Sequence, residues 1–328
     1  MTSEIGQAVG DECPGDTECE SLDPSSGLIL GEARRRGIAV EILAPRAEYF
    51  RLRHDGRVVT CRESLSDRTS AVALSFCDDK RATARLLAQA GLRVPAQQRA
   101  GSATDNEAFL REHGSIVVKP ARGEQGRGVC VGIHTPEAMA RAIDHAATLN
   151  GQVVLEELVA GDDLRMIVID DEVVVAAVRK PPQVTGDGTQ SVRALITAHS
   201  ARRARETSGE SKVPLDDETA RCVREAGFGI DDVLPRGTII TVRKAANLHT
   251  GGTIEDVTAE LHPALIDVAR KAARALEMPV VGLDLVVPSV HEPTYWILEA
   301  NERPGFAHHE PHPVARKFVD FLFPETRS

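Results

Sequence analysis

The chain has 328 residues, of which 42% are hydrophobic and 27% charged, and its formal net charge is -10 at pH 7. This composition is typical of a globular protein with two or three subdomains around one cleft. The negative charge argues against nucleic acid as a main partner, because phosphate neutralisation needs clustered Lys and Arg. No stretch approaches the ~20 apolar residues of a membrane span, and the acidic N-terminus has no apolar signal segment. We therefore expect a cytoplasmic protein with no membrane partner.

The first half of the chain predicts three successive regions. Residues 1–26 are polar and aperiodic, which predicts a disordered lead-in. Residues 27–78 predict a small, truncated α/β segment with a short helix, a strand and a hairpin that turns at Asp55 and Gly56. Residues 79–160 predict a subdomain that opens with a helix at 80–90, between Asp caps and Gly91. Its other predicted elements are a helix (105–113), a strand (115–119), a Gly-rich loop, a second helix (136–150) and a strand (152–155).

Residues 161–328 predict a second subdomain. It begins with a hairpin whose two apolar strands are divided by Asp170 and Asp171. An insert, 181–240, is more polar and includes Gly186-Asp187-Gly188 as loop material. The remaining predicted elements are a helix (259–277), two strands (280–287 and 296–300) and a closing helix (313–322). This mixture of helices and hairpins predicts an α+β fold on antiparallel sheets rather than a Rossmann sheet.

The strand that ends at Lys119 is followed by a loop containing Gly123, Gly126 and Gly128. A Lys at a strand end can place its ammonium against a phosphate, and the glycines let backbone N–H groups close over a phosphate chain. The order differs from that of a P-loop, in which the Gly-rich part precedes the Lys. An ordinary hairpin turn is the alternative interpretation.

A strand edge passes into a turn at Glu156, Glu157 and Val159, and Asp163 follows. The backbone of such an edge offers hydrogen-bonding groups to an adenine, and the later carboxylate can accept hydrogen bonds from ribose hydroxyls. An acidic surface turn is the alternative.

Asp284 lies inside an apolar strand, where a carboxylate is costly to bury unless it is paired or bound to a metal. Glu299 and Asn301 are two residues apart on another strand, so their side chains face the same way. Three oxygen ligands on adjacent strands would suit Mg²⁺. The alternative is a buried salt bridge from Asp284 or Glu299 to an Arg.

Arg243 and Asn247 precede the glycine pair Gly251-Gly252. Cations, an amide and an open backbone at one turn suit an anionic transition state. An ordinary Gly-Gly turn with a solvated basic flank is the alternative.

Together and in this order, these segments resemble the ATP-grasp superfamily over residues 27–324. Residues 186–188, 246–252 and 299–305 are similar to the group that contains cyanophycin synthetase, the bifunctional glutathione synthetases and N-acetylglutaminylglutamine synthetase. Residues 77–80, 119–128 and 301–311 look most like the ligase half of the last. The resemblance implies two α+β subdomains that grip ATP and a ligase that joins a carboxylate to an amine through an acyl phosphate.

The resemblance also implies roles for the matching residues. They are phosphate contacts (Lys80, Lys119), a flap (Gly123, Gly126, Gly128), an adenine pocket (Glu156, Glu157, Val159), a ribose contact (Asp163), ligands of two Mg²⁺ or Mn²⁺ ions (Asp284, Glu299, Asn301), and acyl-phosphate contacts (Arg243, Asn247, Gly252). Arg165 and Arg179 are weaker candidates for binding a phosphate or a substrate carboxylate.

The chain departs from these families at two points. Ligases of the D-alanine–D-alanine type carry an Arg two residues before the first metal Asp, where this chain has Gly282, so we expect Arg243 to supply the cation. N-acetylglutaminylglutamine synthetases carry an additional acetyltransferase half, so we expect a separate protein to supply that step or the substrate to differ.

The expected substrates are amino acids or small peptides, and nucleic acid is not expected. A homodimer and a separate acetyltransferase or amidotransferase in the pathway are further expectations. Specificity is expected from the insert and from residues 305–312, where His308, His309 and His312 either touch substrate or lie on the surface. The rival functions are a phosphotransferase and a nucleotide-binding module without turnover.

Overall fold

The structure is a computed structural model that describes residues 22–122, 128–207, 209, 211–309 and 312–327. The chain divides into two compact units. The first unit comprises Met1–Asp67, Gly305–Ala307 and Ala315–Ser328, and the second comprises Arg68–Pro304 and His308–Val314. Every residue predicted for the site belongs to the second unit. The subdomain boundaries drawn from the sequence stay predictions.

Among its described residues, the first unit contains a helix followed by a four-stranded antiparallel meander in the order β1-β2-β3-β4, together with most of the C-terminal helix of the chain. Its elements are α1 (Pro24–Arg35), β1 (Ala39–Ala44), β2 (Tyr49–His54), β3 (Arg57–Arg62) and β4 (Leu65–Ser66). The predicted turn is confirmed, since Asp55 and Gly56 have φ angles of 44° and 78°.

The predicted disordered lead-in extends too far, because helix α1 begins at Pro24. The side chain of Asp23 accepts a hydrogen bond from the Ser25 N–H and caps the helix. Proline suits the first turn, where its missing N–H has no intrahelical partner to lose. Residues 24–26 are therefore helical.

The first half of the second unit is a four-stranded antiparallel sheet in the order β5-β8-β6-β7, packed against helices. The elements are α2 (Ala71–Asp78), α3 (Lys80–Gln89), β5 (Gln97–Arg99), α4 (Ala103–His113), β6 (Ile116–Pro120), β7 (Cys130–Ile133), α5 (Pro136–Asn150) and β8 (Val153–Glu157). The sequence did not predict α2, which Ser70 caps by accepting a hydrogen bond from the Ala73 N–H.

The second half is built on a five-stranded sheet in the order β13-β10-β9-β14-β15. Its elements, with those of the insert, are β9 (Asp162–Ile169), β10 (Glu172–Lys180), β11 (Gln183–Thr185), α6 (Val192–Glu206), α7 (Asp217–Glu225), β12 (Ile239–Thr241), β13 (Thr253–Asp256), α8 (Pro263–Ala275), β14 (Val280–Val287) and β15 (Trp296–Asn301). The last helix, α9 (Val314–Leu322), belongs to the first unit from Ala315 onward. All strand pairs of the described residues are antiparallel, so the predicted antiparallel α+β architecture is confirmed.

Strand β14 is buried along its whole length, and its two faces differ. Alternate residues of the strand, together with neighbours on β9 and β10, form an apolar core with α8. Because side chains alternate across a strand, Gly282 and Asp284 face the opposite way. The sheet therefore has one apolar face and one face that carries charged residues.

The insert is more structured than its polarity predicted. It contains α6, α7 and the strand pair β11-β12, which enclose a small core of their own. The buried members of this core are Val184, Val192, Ile196, Val213, Val223, Leu234, Ile240 and Val242. The turn Gly186-Asp187-Gly188 is loop, as predicted, and Asp187 Oδ1 accepts the backbone N–H groups of Thr189 and Gln190 at 2.8 Å. Across the residues that the structure describes, we find no helix with the length and apolarity that a membrane crossing requires.

Candidate active site

The charged face of the five-stranded sheet brings together side chains from four strands. Asp284 on β14 lies opposite Glu299 on β15 and opposite Arg165 on β9. Asp163 on β9 lies opposite Arg179 on β10. Directly opposed residues of antiparallel strands have neighbouring side chains. The strand register therefore brings these residues into one group. We call this group, with Asn301 added, the carboxylate cluster; its members are Asp163, Arg165, Arg179, Asp284, Glu299 and Asn301.

Asp284 is the centre of this cluster. Its Oδ1 atom lies 2.8 Å from Arg165 Nε and 2.9 Å from Arg179 Nη2. The same oxygen is buried and makes no hydrogen bond, so charge rather than hydrogen-bond geometry holds it. Asn301 Nδ2 donates to Asp284 Oδ2 at 3.2 Å. The salt bridge that the sequence left open for Asp284 is present, within a larger group of oxygen donors.

The packing of charges shifts the pKa values in the cluster. Burial raises the pKa of Asp163 to about 6, with the Arg179 guanidinium opposing the shift and Asp284 adding to it. Burial lowers the pKa of Arg165, which Asp284 partly offsets. For Arg179 burial also acts to lower the pKa, but Asp284 and Asp163 outweigh it and raise the pKa. Both guanidiniums remain charged at neutral pH because an arginine pKa begins far above it.

Arg165 fills the space above Gly282. A Cβ atom at position 282 would lie 2.4 Å from Arg165 Nη1 and 3.0 Å from Pro304 Cβ. The glycine thus lets a guanidinium from β9 lie where a side chain of β14 would otherwise extend. A glycine inside a strand often marks such a close approach, which is the one sequence signal for Arg165.

Arg243 has other partners. Its Nη1 donates to Asp216 Oδ1 at 2.7 Å and to Thr219 Oγ1 at 2.9 Å, both at the start of α7. Within the described part of the chain, these contacts bind its guanidinium to the insert rather than to Asp284 or Glu299. Arg243, which the alternative interpretation treated as part of a solvated basic flank, is therefore bound to the insert. The arginine that lies above Gly282 is Arg165.

The two predicted phosphate-binding lysines are joined through the start of α3. Lys80 is the first residue of α3, and its Nζ lies 3.5 Å from Glu299 Oε2. Its backbone N–H donates to the carbonyl of Ala121 at 3.2 Å, two residues beyond Lys119. Lys119 Nζ lies 2.6 Å from Glu156 Oε2, and these side chains are only 6% and 4% exposed. The first residue of α3 therefore contacts both the chain just beyond the strand of Lys119 and the carboxylate cluster.

The predicted adenine and ribose positions are engaged in internal contacts. Glu157 Oε2 accepts the Ala96 N–H at 3.1 Å, and Asp163 Oδ1 accepts two hydrogen bonds from Arg179 at 3.0 and 2.7 Å. Strand β8 ends at Glu157, so Val159 follows beyond the ladder and is half-buried. Their contacts with adenine and ribose stay predictions.

The Gly-rich loop is described only at its end. Gly128 has a φ angle of 72°, and a Cβ there would lie 2.5 Å from Leu149 Cδ1. Gly123 and Gly126 lie outside the described residues. The predicted flap stays a prediction.

Residues 247–252, which we call the Gly-Gly loop, form a tight turn after the insert. Asn247 Oδ1 accepts the His249 N–H at 2.8 Å and caps a short 3-10 turn. A Cβ at position 252 would lie 2.9 Å from the Asn247 carbonyl oxygen and 3.0 Å from that of Lys180. Both the predicted chemistry and the alternative turn interpretation need a glycine at this position.

Among the histidines near the C-terminus, His312 lies against an aspartate. Its Nε2 lies 2.6 Å from Asp256 Oδ2 on β13. Burial acts to raise the pKa of Asp256, but hydrogen bonds from Thr258 and His312 outweigh it and lower the pKa to about 2. His309 is buried, and the side chain of His308 lies outside the described residues.

The cluster suits a hard cation. Asp284, Glu299 and Asn301 offer carboxylate and amide oxygens, the ligands that Mg²⁺ prefers. The buried Asp284 Oδ1 already has two guanidinium groups within 2.9 Å, so this position favours positive charge. Among the residues that the structure describes, no three His, Cys, Asp or Glu side chains gather as a metal site, and the third donor here is an amide.

Comparison with known proteins agrees with this geometry. Residues 77–187 match the RimK-like ATP-grasp domain. A bifunctional glutathione synthetase from Pasteurella multocida matches 94% of this chain and 44% of its own length, with a TM-score of 0.66 and 23% identity. The chain has the ATP-grasp fold. The fold predicted from the sequence is confirmed.

The chain is also similar in sequence to longer curated proteins. Cyanophycin synthetase of Trichormus variabilis is 32% identical over 94% of this chain and 36% of the relative. The glutathione biosynthesis bifunctional protein GshAB of Mannheimia succiniciproducens is 25% identical over 93% of this chain and 43% of the relative. The chain thus spans less than half the length of these curated relatives. The predicted resemblance to their group is confirmed, whereas the likeness to the ligase half of N-acetylglutaminylglutamine synthetase stays a prediction.

Proposed function

We propose that the chain is an ATP-dependent, ADP-forming ligase that joins a carboxylate to an amine through an acyl phosphate. The observation that carries this proposal is the carboxylate cluster on the sheet of an ATP-grasp fold, in which Arg165 lies on Asp284 and Lys80 contacts Glu299. Phosphoryl transfer depends on positioning and on neutralising charge, and the cluster offers oxygen ligands beside fixed cations. The names of the relatives, which are synthetases, support the same class.

The nucleotide would lie between the two sheets. Lys119 and Lys80 would hold its phosphates, the edge of β8 at Glu156, Glu157 and Val159 would receive the adenine, and Asp163 would receive the ribose. Two Mg²⁺ ions, or Mn²⁺, held by Asp284, Glu299 and Asn301 would neutralise phosphate charge.

The reaction has two steps. The substrate carboxylate attacks the γ-phosphorus of ATP, ADP leaves, and an acyl phosphate forms. The amine then attacks the acyl carbon, phosphate leaves, and the amine gives up a proton. Arg165, rather than Arg243, would stabilise the charge on the transferred group, since its guanidinium lies directly on Asp284 Oδ1 at 2.8 Å. Asn247 and Gly252 would line the acyl group.

For the substrates, we propose an amino acid or small peptide, with synthesis of a dipeptide like N-acetylglutaminylglutamine as the specific candidate. The insert donates hydrogen bonds to backbone carbonyls of the Gly-Gly loop, which supports a part for it in specificity. A homodimer, a cytoplasmic location and a separate acetyltransferase or amidotransferase complete the proposal.

The test is release of ADP and phosphate by the protein with Mg-ATP and pooled amino acids, including acetylated glutamine, followed by mass spectrometry of the products. We expect release that requires both an acid and an amine, and a condensed product. Glu299→Gln should abolish turnover with the fold intact, whereas Glu292→Gln, an exposed residue of the same hairpin, should not.

Two other outcomes would replace the proposal. Label from the γ-phosphate retained on a stable organic product would indicate a phosphotransferase. ATP binding in calorimetry without hydrolysis on any substrate would indicate a nucleotide-binding module.

A further inference from the structure

His199 is a buried imidazole on α6 of the insert, and none of the roles above uses it. It is only 8% exposed. Its Nε2 lies 2.9 Å from the carbonyl oxygen of Gly251, and its Nδ1 lies 3.1 Å from Arg202 Nη2. A guanidinium can only donate, so Nδ1 accepts and Nε2 carries the proton. His199 is therefore a neutral donor, held in one tautomer, that points at the Gly-Gly loop.

The insert binds the Gly-Gly loop through three backbone carbonyls. The three hydrogen bonds run from Ser211 Oγ to Leu248 O, from the Lys212 N–H to His249 O, and from His199 Nε2 to Gly251 O. The first two donors lie on an irregular segment, whereas His199 lies on a helix of the insert. A helix is the more rigid support, so His199 is the contact that ties the loop to regular structure.

The Gly251–Gly252 peptide has little room to be held in another way. Gly251 has a φ angle of 94°, and a Cβ there would lie 2.3 Å from Val213 Cγ2, so no side chain can be added on this side. The carbonyl of this peptide accepts from His199, and its N–H, which belongs to Gly252, donates to the Asn247 carbonyl at 3.0 Å. A rotation of the peptide would break both bonds. His199 therefore fixes the plane that contains the Gly252 N–H.

This peptide is connected to the carboxylate cluster through strand β13. The loop continues into β13, where Thr253 pairs with Lys180 and Ile254 pairs with Arg179. Arg179 Nη2 in turn lies 2.9 Å from Asp284 Oδ1. Only one residue separates the held peptide from the strand residue that pairs with a cation of the cluster.

We propose that His199 is a positioning residue for the ligase reaction. Its Nε2–H holds the Gly251–Gly252 peptide, and thereby keeps Asn247 and Gly252 in the geometry in which the acyl phosphate reacts. The proposal rests on the proposed function, because the loop is assigned there to the acyl group. Since a displacement of about 1 Å can reduce a rate by about 100-fold, one hydrogen bond on this loop can decide turnover.

The experiment compares His199→Leu with His199→Gln. The leucine variant fills the space without a donor, and we expect its kcat for ADP release to fall about 10- to 100-fold with the KM for ATP changed less than about twofold. Glutamine carries an N–H donor at a similar reach, so it should restore most of the kcat. Hydrogen exchange at residues 247–253 should speed up in the leucine variant and return toward the wild-type rate in the glutamine variant.

Ala198→Leu is the control, because it puts the same side chain at the exposed neighbouring position. Arg202→Met leaves His199 in place but removes the donor that sets its tautomer, so it should also lower kcat. This variant provides the test if His199→Leu does not fold. An unchanged kcat in the leucine or methionine variant, or an equal loss in leucine and glutamine variants, overturns the proposal. Wild-type protein that releases no ADP overturns the proposed function instead, and the exchange measurement still reports whether His199 holds the loop.

Discussion

At the scale of the single residue, we expect an arginine at position 282 to replace part of the function of Arg165. Arg165→Ala should lower kcat about 100- to 1,000-fold, the usual cost of losing one preorganised group at developing charge. Adding Gly282→Arg to this variant should restore part of the rate, because the new side chain can extend into the space that Arg165 leaves. Steady-state kinetics of the single and double variants measure this.

Gly282→Ala gives an independent check of the same contact. In the wild-type background its Cβ would lie 2.4 Å from Arg165 Nη1, so the guanidinium must shift away from Asp284 and kcat should fall. In the Arg165→Ala background the same change meets no guanidinium and should have little further effect. Additive losses in the two backgrounds would contradict the assigned contact.

Asp163 predicts a pH dependence of stability. Its pKa in the folded protein is raised from 3.8 to about 6, so the folded state binds this proton more tightly than the unfolded chain does. The stabilisation is therefore complete below the unfolded pKa and is lost as pH rises through the folded pKa. Between about pH 4 and pH 6, wild-type unfolding free energy should drop by about 1–2 kcal/mol relative to Asp163→Asn.

Urea unfolding at several pH values tests this, with Asp267→Asn, an exposed aspartate of α8, as the control. Parallel pH profiles for wild type and Asp163→Asn would show that Asp163 titrates as it does in the unfolded chain.

The sequence indicated the acidic residues of the cluster more strongly than its arginines. Asp284 was found because a carboxylate in an apolar strand needs a partner, and Glu299 and Asn301 because their spacing puts them on one face. Arg165 was left as a weaker candidate because its position depends on the register between β9 and β14, which is not local information. Arg243 was favoured because it precedes the Gly-Gly loop in sequence, yet its partners Asp216 and Thr219 come from a helix that the sequence did not predict.

At the scale of the element, helix α6 explains why the sequence of the insert predicted no helix. Its buried positions are Val192, Ile196 and His199, which follow helical spacing but include a polar residue. The buried face of the helix is polar at His199, the residue that binds the Gly251 carbonyl, so the apolar spacing that predicts a helix is incomplete. Helix α5 was predicted with its observed bounds, because its caps and periodicity agree.

The insert should unfold as a separate element when its turn is overfilled. A Cβ at Gly186 would lie 2.2 Å from the Pro235 carbonyl oxygen and 2.6 Å from Leu234 Cβ, and backbone cannot move aside as a flexible side chain can. We expect Gly186→Ala to destabilise the insert by at least about 2 kcal/mol. Limited proteolysis should then cut within residues 181–242 while the five-stranded sheet stays resistant.

Gly31→Ala in α1 is the control for the replacement itself, since a Cβ there meets nothing within 4 Å. It should leave stability unchanged or raise it by about 0.5–1 kcal/mol, because alanine favours a helix. Equal resistance of the two variants to protease would contradict the close packing at Gly186.

At the scale of the whole molecule, the proposed function requires one triphosphate to use groups from both sheets of the second unit. Lys119 comes from the four-stranded sheet, and Lys80 and Glu299 meet at the five-stranded one. A nucleotide bound by all of them stabilises the folded chain by about 2.7 kcal/mol at 100 times its Kd. A nonhydrolysable ATP analogue with Mg²⁺ should therefore raise Tm in wild type.

The decisive variant is the double change Lys119→Met with Glu156→Gln. Lys119→Met alone leaves a buried carboxylate without its cation, which costs about 3–5 kcal/mol and would obscure a binding effect. Neutralising Glu156 as well removes that unpaired charge, so the double variant should fold while its Mg-dependent rise in Tm disappears. Glu299→Gln changes a residue of the five-stranded sheet, and it should lose the magnesium-dependent part of the rise in Tm. A full rise in either variant would mean that the two sheets do not share one nucleotide.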